Sequence, residues 1–148
     1  MKVAVQSQDF DLSTEVRNIS GNPKVGAVAS FVGVVREVPM TLEHYPGMTE
    51  NSIRKIVEQA GSRWQVMDCT VIHRYGALQP GEQIVLVAVA SAHRGDAFAA
   101  CEFIMDYLKT RAPFWKKEQR PEGARWVEAR ASDDQAAVRW NDPSRKTG

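Results

Sequence analysis

Two periodicities of apolar residues divide this chain into predicted strands and helices. Apolar side chains that alternate with polar ones predict strands, whereas apolar side chains that recur every three to four residues predict helices. The predicted strands are 2–6, 25–36, 40–44, 67–75, 84–90 and 126–130, and the predicted helices are 12–19, 48–63, 95–110 and a short helix that opens at Ser132. Strands and helices in this mixed order indicate an α+β domain instead of a doubly wound sheet.

Two elements carry finer predictions about packing. Residues 84–90 are almost continuously apolar, which predicts a central strand covered on both faces. In helix 95–110, one apolar series is predicted to face the core: Phe98, Cys101, Met105 and Leu108. Gly26 and Gly33 interrupt strand 25–36, which indicates a bend or a close approach of another backbone.

The connections follow from turn residues. Strand 40–44 is predicted to return from strand 25–36, and residues 76–81 are predicted to form a turn. Pro113 is predicted to end helix 95–110. No linker separates these elements, so residues 1–140 are predicted to form one domain and 141–148 a flexible C-terminal tail.

The composition is that of an ordinary globular enzyme or binding domain. The chain has 148 residues, of which 43% are hydrophobic and 25% charged. No apolar run approaches the roughly 20 residues that a membrane span needs, and residues 1–6 are too polar and too few for a signal peptide. These features predict a cytoplasmic protein.

Positive charge is concentrated in one part of the chain. The formal net charge is only +1, yet segment 109–130 holds seven Lys or Arg against three Glu. Such a run is either a solvated basic face or a binding site for an anion. Lys109 and Lys116 flank a predicted Pro-aromatic turn, in which Phe114 and Trp115 would anchor the chain in the core.

A lysine held near other cations loses proton affinity and becomes a candidate base or nucleophile. A second polar pair, His93 and Arg94, stands where a buried strand passes into helix 95–110. Helix N-termini favour phosphate or carboxylate, and an arginine adds a bidentate contact. The alternative is that both side chains are simply solvated. Arg36, at the end of a long strand, has the same two interpretations.

The cysteines and histidines indicate neither a sulfur nucleophile within the chain nor a metal site. Cys69 and Cys101 are 32 positions apart, form no CxxC motif and are predicted to be inert buried residues. His73 is predicted to be a half-buried strand residue, and His44 a structural one. The three histidines show no ligand spacing, so no metal site is predicted.

Five segments in order resemble the large, catalytic subunit of molybdopterin synthase. They are TLEHYPGMTE (41–50), VIHR (71–74), SAHR (91–94), FIMDYLKTRAPFWK (103–116) and WVEAR (126–130). The resemblance runs from Val25 to Trp140. It implies an α/β hammerhead-type fold with mixed or antiparallel sheets and packed helices. It also implies a homodimer that carries one small ubiquitin-like subunit on each protomer, within a heterotetramer.

In that family, the small subunit ends in Gly-Gly with a thiocarboxylate and gives two sulfur atoms in succession to cyclic pyranopterin monophosphate, forming the dithiolene of molybdopterin. No resident cofactor, nucleic acid or membrane is implied. The resemblance assigns Lys109 and Lys116 as the catalytic pair. It assigns substrate binding to five residues: Arg36, His93, Arg94, Lys117 and Glu118.

One departure and one alternative accompany this resemblance. The family carries a longer Gly- and Asp-rich loop where only residues 37–40 connect Arg36 to the next strand. The resemblance implies a substrate pocket, and how this pocket is covered and where Arg36 lies therefore depend on this short connection. The alternative function is a non-catalytic nucleic-acid-binding module that uses the basic 109–130 segment, with Trp115 and Trp126 stacking on bases.

Overall fold

The chain folds into two four-stranded sheets with helices packed on the first. The computed structural model describes residues 1–121, 123–127 and 136–141, with the backbone alone for 124–127 and 141. The strands are β1 (Lys2–Gln6), β2 (Ala27–Val34), β3 (Met40–His44), β4 (Asp68–Arg74), β5 (Gly76–Leu78), β6 (Gln83–Ser91), β7 (Phe114–Arg120) and β8 (Gly123–Val127), and the helices are α1 (Leu12–Ile19), α2 (Met48–Arg63) and α3 (Arg94–Arg111).

The first sheet has the strand order β1-β4-β6-β2, with β1 parallel to β4 and the other pairs antiparallel. Strand β6 lies inside this sheet, and its residues contribute to apolar clusters on both faces. Helices α2 and α3 cover one face and α1 covers the other. The predicted central strand and the predicted α+β class are therefore confirmed.

The second sheet, β5-β3-β7-β8, is antiparallel throughout and corrects two predictions. Strand β3 does not return beside β2, because residues 35–39 cross into this second sheet. The Val35 amide donates to the Glu82 carbonyl at one end (2.9 Å), and the Gln119 amide donates to the Pro39 carbonyl at the other (2.9 Å). Part of the predicted turn 76–81 is strand β5, which pairs with β3. Strand β5 has only three residues, which is too short to show an alternating pattern, so only its pairing with β3 reveals it.

Helix α3 is apolar around most of its circumference, and this misled the prediction of its buried side. Cys101, Met105 and Leu108 are buried as predicted, but Phe98 is 61% exposed. The core receives a series one position away, which includes Ala97, Ala100 and Ile104. Two overlapping apolar series fit the same periodicity, and only the contact with the sheet selects between them. No helix among the described residues is long and apolar enough to cross a membrane.

The C-terminal segment belongs to the core. Trp140 is fully buried, and its ring meets Trp64 and Phe103 edge-on with centroid distances of 5.4 and 5.6 Å. Its indole Nε1 donates to Asp106 Oδ2 on α3 at 2.6 Å. Residue 141, predicted to begin the tail, still lies in the 3₁₀ turn Arg139–Asn141. The predicted helix start at Ser132, strand residues 128–130 and tail residues 142–148 lie outside the described residues.

Close contacts explain both glycines of the predicted strand 25–36, with a side chain at Gly33 and another backbone at Gly26, and the backbone contact makes Gly26 intolerant of a side chain. A Cβ at Gly33 would lie 2.8 Å from Val85 Cγ1, and a Cβ at Gly26 would lie 2.2 Å from the Ala92 carbonyl oxygen. Because a backbone oxygen cannot swing aside, we expect Gly26→Ala to lower the free energy of unfolding by about 1–3 kcal/mol. Urea titration would measure this change.

Gly21→Ala is the matched control, because no atom lies within 4 Å of the position of its Cβ. This variant should unfold at the wild-type urea concentration or slightly above it. Equal stability of the Gly26→Ala and Gly21→Ala proteins would contradict the steric argument.

Candidate active site

The predicted catalytic lysines lie on either side of the junction between α3 and β7. Lys109 is exposed in the last turn of α3, and Lys116 is half-buried as the third residue of β7. Ala112 and Pro113 alone separate the helix from the strand. The predicted Pro-aromatic turn is therefore wrong in part, since Phe114 and Trp115 already belong to β7. The pairing of β7 with β3 extends to the first residue of β7 and includes both aromatic positions.

Alternation along β7 separates its side chains into two groups. Phe114, Lys116 and Glu118 share one face of the strand, whereas Trp115 and Lys117 share the other. Trp115 is 39% exposed and packs edge-on against exposed Tyr45 at 4.3 Å, so the prediction that it anchors in the core is wrong. Lys117 projects from the face opposite to Lys116, which separates these two predicted site residues.

An ion-pair chain runs along the first face of β7. Glu118 Oε1 lies 3.3 Å from Lys116 Nζ, and Glu118 Oε2 accepts from Arg120 Nη2 at 2.6 Å and Nε at 2.9 Å. Burial raises the pKa of Glu118, but hydrogen bonds from Arg120 and Lys116 outweigh burial and leave that pKa below its ordinary value. Glu118 therefore stays ionised and restrains the ammonium group of Lys116.

A half-buried histidine contacts the start of β7. The imidazole of His73, on β4, stacks on Phe114 with ring centroids 3.7 Å apart and planes inclined by 20°. Burial lowers the pKa of His73 to about 4, against the effect of a hydrogen bond to the Arg74 carbonyl, and the charge of Lys109 lowers it further. Lys109 therefore acts electrostatically on a ring that contacts the strand face bearing Lys116. The assignment of the two lysines as a catalytic pair stays a prediction.

The predicted phosphate-binding residues lie elsewhere in the protomer. His93 is the N-cap of α3 and Arg94 is its first residue, and both are exposed. Fifteen residues of helix place Arg94 about 22 Å from Lys109 along the axis. Arg36 is exposed and lies two residues beyond the end of β2. At that end of the first sheet, Gly33 of β2 pairs with Val85 of β6, and Val85 pairs with His73 of β4. Arg36 thus lies toward the Lys109 end of the first sheet, and His93 and Arg94 lie at the other end.

The cysteines are inert, as predicted. Both Cys69 and Cys101 are buried and free, and burial raises the pKa of each thiol to about 12. A thiol that stays protonated is a poor nucleophile. Among the described residues, no group of three or more His, Cys, Asp or Glu could hold a metal ion. Any sulfur chemistry at the lysine pair therefore needs sulfur from elsewhere.

Comparison with known proteins identifies the chain. The model of the MoaE protein family matches residues 5–111. The chain is 58% identical over 146 residues to the molybdopterin synthase catalytic subunit of Ralstonia nicotianae, covering 93% of this chain and 83% of the relative. The chain belongs to the MoaE family. The prediction of a molybdopterin synthase catalytic subunit is thereby confirmed.

Solved structures of MoaE proteins share the fold. The molybdopterin biosynthesis MoaE protein of Burkholderia ambifaria superposes with a TM-score of 0.84 at 56% identity, covering 95% of this chain and 99% of that one. A complex of subunits 1 and 2 of the molybdopterin-converting factor from Helicobacter pylori gives a TM-score of 0.70 at 20% identity, covering 88% and 90%. The distant structure shows the fold alone. The MoaE assignment favours the enzyme over the nucleic-acid-binding alternative.

One residue of this MoaE chain joins the site without having been predicted in it. His73 contacts the β7 face described above through its stack on Phe114. The sequence pattern predicted only a half-buried strand residue, because a contact with a strand 41 positions away leaves no local signal.

The MoaE fold should lose stability in mild acid because the fold keeps the half-buried His73 neutral. Its pKa is about 4 in the folded chain, against about 6.5 for an unfolded one. The unfolded state therefore binds more protons between these values, and the free energy of unfolding falls as the pH drops from about 6.5 towards 4. This contribution approaches about 3 kcal/mol below pH 4.

Urea titrations of wild type and His73→Phe between pH 7 and pH 4.5 would measure this dependence. A phenylalanine preserves the stacked ring and does not titrate, so the variant should show a flatter decline. Parallel curves for the two proteins would contradict the assignment of the decline to His73.

Proposed function

We propose that this chain transfers sulfur from the C-terminal thiocarboxylate of a small ubiquitin-like subunit to cyclic pyranopterin monophosphate, and so builds the dithiolene of molybdopterin. Membership in the MoaE family supports the reaction. The observation that carries the assignment of the site is the stack of His73 on Phe114, which lies on the strand face that bears Lys116, together with the effect of the Lys109 charge on the same imidazole. The inert cysteines agree with sulfur that arrives on a partner.

The two lysines have different surroundings, which suggests different roles. Lys116 is restrained by Glu118, whose other oxygen is occupied by Arg120. A fixed ammonium group suits the stabilisation of charge on the pterin intermediate. Lys109 is exposed in the last turn of α3, on the surface that an incoming chain terminus would approach. We assign Lys109 to proton transfer beside the thiocarboxylate and Lys116 to polarising the pterin.

Binding of the substrate phosphate is assigned to Arg36, His93 and Arg94. Within one protomer, Arg94 and Lys109 are about 22 Å apart along α3, so these residues are poorly placed to share one small ligand. A second copy of the chain resolves this difficulty. The composite site would take Arg36 and Lys109 from one protomer and His93 and Arg94 from the other.

Strand β2 and helix α3 present the surface for that second copy. Strand β2 is at the edge of its sheet, and Phe31, Val34 and Phe98 are 42, 48 and 61% exposed there. In a two-fold, antiparallel arrangement, the beginning of β2 in one protomer meets its end in the other. The start of α3 follows Ser91, which pairs with Ala27 at the beginning of β2. The arrangement therefore brings His93 and Arg94 of one protomer to Arg36 of the other.

The partner and compartment complete the proposal. The Helicobacter pylori protein of the same fold is seen in complex with the other subunit of its converting factor, and we propose an equivalent small subunit, ending in Gly-Gly, on each protomer of a homodimer. The reaction then needs no resident cofactor, because the partner supplies the sulfur. Lys117 and Glu118 adjoin Lys116 along β7, with Lys117 on the outer face where it could meet the partner instead of the pterin. We propose a cytoplasmic location.

Reconstitution tests this function directly. The chain is mixed with a thiocarboxylated small subunit and cyclic pyranopterin monophosphate, and formation of the dithiolene product is measured by mass spectrometry. Each product molecule should carry two added sulfur atoms, and two small subunits should return with ordinary carboxylate termini. The matched control is the same small subunit without its thiocarboxylate. Absence of product with the loaded subunit would refute the proposal.

A further inference from the structure

His73 lies at the end of β4 on the face that α2 and α3 cover. Val71 and Cys69, two and four residues earlier, belong to the core on that face, and alternation places His73 beside them. In the sheet, His73 pairs with Val85 of β6 and Val5 of β1. The imidazole therefore projects from the end of a strand that is paired on both sides.

The ring is fixed in both position and protonation. Its Nδ1 lies 2.9 Å from the Arg74 carbonyl oxygen. A carbonyl only accepts hydrogen bonds, so Nδ1 carries the proton of the neutral imidazole and Nε2 is left as an acceptor. The flat face of the ring is occupied by Phe114 at 3.7 Å. Both contacts constrain the imidazole at once.

The stack also links the start of β7 to the first sheet. Between α3 and β7, the connection is held by the Phe114 amide, which donates to the Ala112 carbonyl at 2.9 Å, and by Thr49 Oγ1, which donates to the Pro113 carbonyl at 3.3 Å. Pairing with β3 holds β7 in the second sheet from its first residue. The stack of Phe114 on His73 adds a contact between one face of β7 and the first sheet.

That face carries Lys116. Phe114 and Lys116 are two residues apart on one strand, about 7 Å between Cα atoms, and project to the same side. Lys109 acts on the same imidazole through its charge. A neutral ring at this point contacts β7 without adding a further positive charge to the surroundings of the lysines.

We propose that His73 is a positioning residue for sulfur transfer, which sets the separation of Lys109 from Lys116 by anchoring Phe114 to the first sheet. This inference rests on the proposed function for its catalytic consequence, but the geometry that it describes is testable without turnover. The contribution is indirect, since His73 does not need to touch the pterin or the thiocarboxylate.

Three variants separate positioning from general stability. His73→Ala removes the stack and the hydrogen bond, and His73→Phe retains a flat ring but not the hydrogen bond. Val71→Ala is the matched control, because Val71 is fully buried on the same strand face and pairs in the sheet with β1 and β6 instead of β7. All three are compared at a temperature where thermal melts show them folded.

The first measurement is steady-state sulfur transfer with the loaded small subunit. His73→Ala should lower kcat by about tenfold or more with little change in KM for the pterin, because misplaced catalytic groups slow the chemical step. His73→Phe should recover most of the lost kcat, and Val71→Ala should stay within about twofold of wild type. A His73→Ala kcat within twofold of wild type, or an equal loss in Val71→Ala, would overturn the proposal.

The second measurement does not depend on activity. A short amine-reactive cross-linker should join Lys109 to Lys116 in the wild type, with the product identified by peptide mass mapping. The yield of this cross-link should fall in His73→Ala and return in His73→Phe. An unchanged yield in His73→Ala would refute the positioning role. If the wild type makes no dithiolene while the cross-link yields still follow this order, the proposed function fails and the positioning role stands.

Discussion

Replacing Lys109 with alanine is expected to abolish dithiolene formation while leaving the chain folded. A positioned proton-transfer group contributes about 100- to 10,000-fold to rate, so product should fall by at least about 100-fold. The side chain is exposed at the C-terminal end of α3, where a cation stabilises the helix by only about 0.3–1 kcal/mol. Product mass and a thermal melt, measured on the same preparation, would report activity and folding separately.

Two further variants sharpen the test of Lys109. Lys109→Arg keeps the positive charge, but a guanidinium does not give up its proton at ordinary pH. This variant should therefore remain inactive if Lys109 transfers a proton and should recover activity if it supplies only charge. Lys55→Ala, an exposed lysine on α2, is the matched control and should keep wild-type turnover. Wild-type turnover in Lys109→Ala would end the catalytic assignment.

Trp140→Ala is expected to cause the largest loss of stability among the substitutions considered for the core. Trp140 is fully buried against Trp64 and Phe103 and donates a hydrogen bond to Asp106. Truncation of a buried tryptophan removes apolar burial and leaves a cavity, at a cost of about 3–5 kcal/mol. Since a domain of this size is stable by roughly 5–15 kcal/mol, its melting temperature should fall by about 10 °C or more.

The neighbouring Val138→Ala serves as the control for Trp140. Val138 is 59% exposed in the same segment, so its truncation should change the free energy of unfolding by less than about 0.5 kcal/mol. Trp140→Phe retains most of the apolar area but loses the hydrogen bond to Asp106, and it should fall between the two. A Trp140→Ala protein within about 1 kcal/mol of wild type would show that the C-terminal segment is dispensable for the core.

The sequence by itself determined the elements that have a clear periodicity, and it determined the family. Helices α1 and α2 and strands β1 and β3 have their predicted bounds, because a local pattern suffices when one face is apolar and the other polar. The inert cysteines followed from their apolar surroundings. The lysine pair was assigned from residues that match the family in register, and it stays a prediction.

Only the tertiary structure decided which surfaces meet. Strand β5 exists because β3 pairs with it, and Phe98 is exposed although Cys101, Met105 and Leu108 of the same apolar series are buried. The sequence pattern gave His73 no role beyond a half-buried strand position, yet the fold stacks it on Phe114, 41 positions along the chain. Periodicity reports the two faces of one element, whereas strand partners and contacts between distant residues depend on free energy summed over the whole fold. The local pattern therefore predicts individual strands and helices, whereas the contacts at the site follow only from how these elements pack.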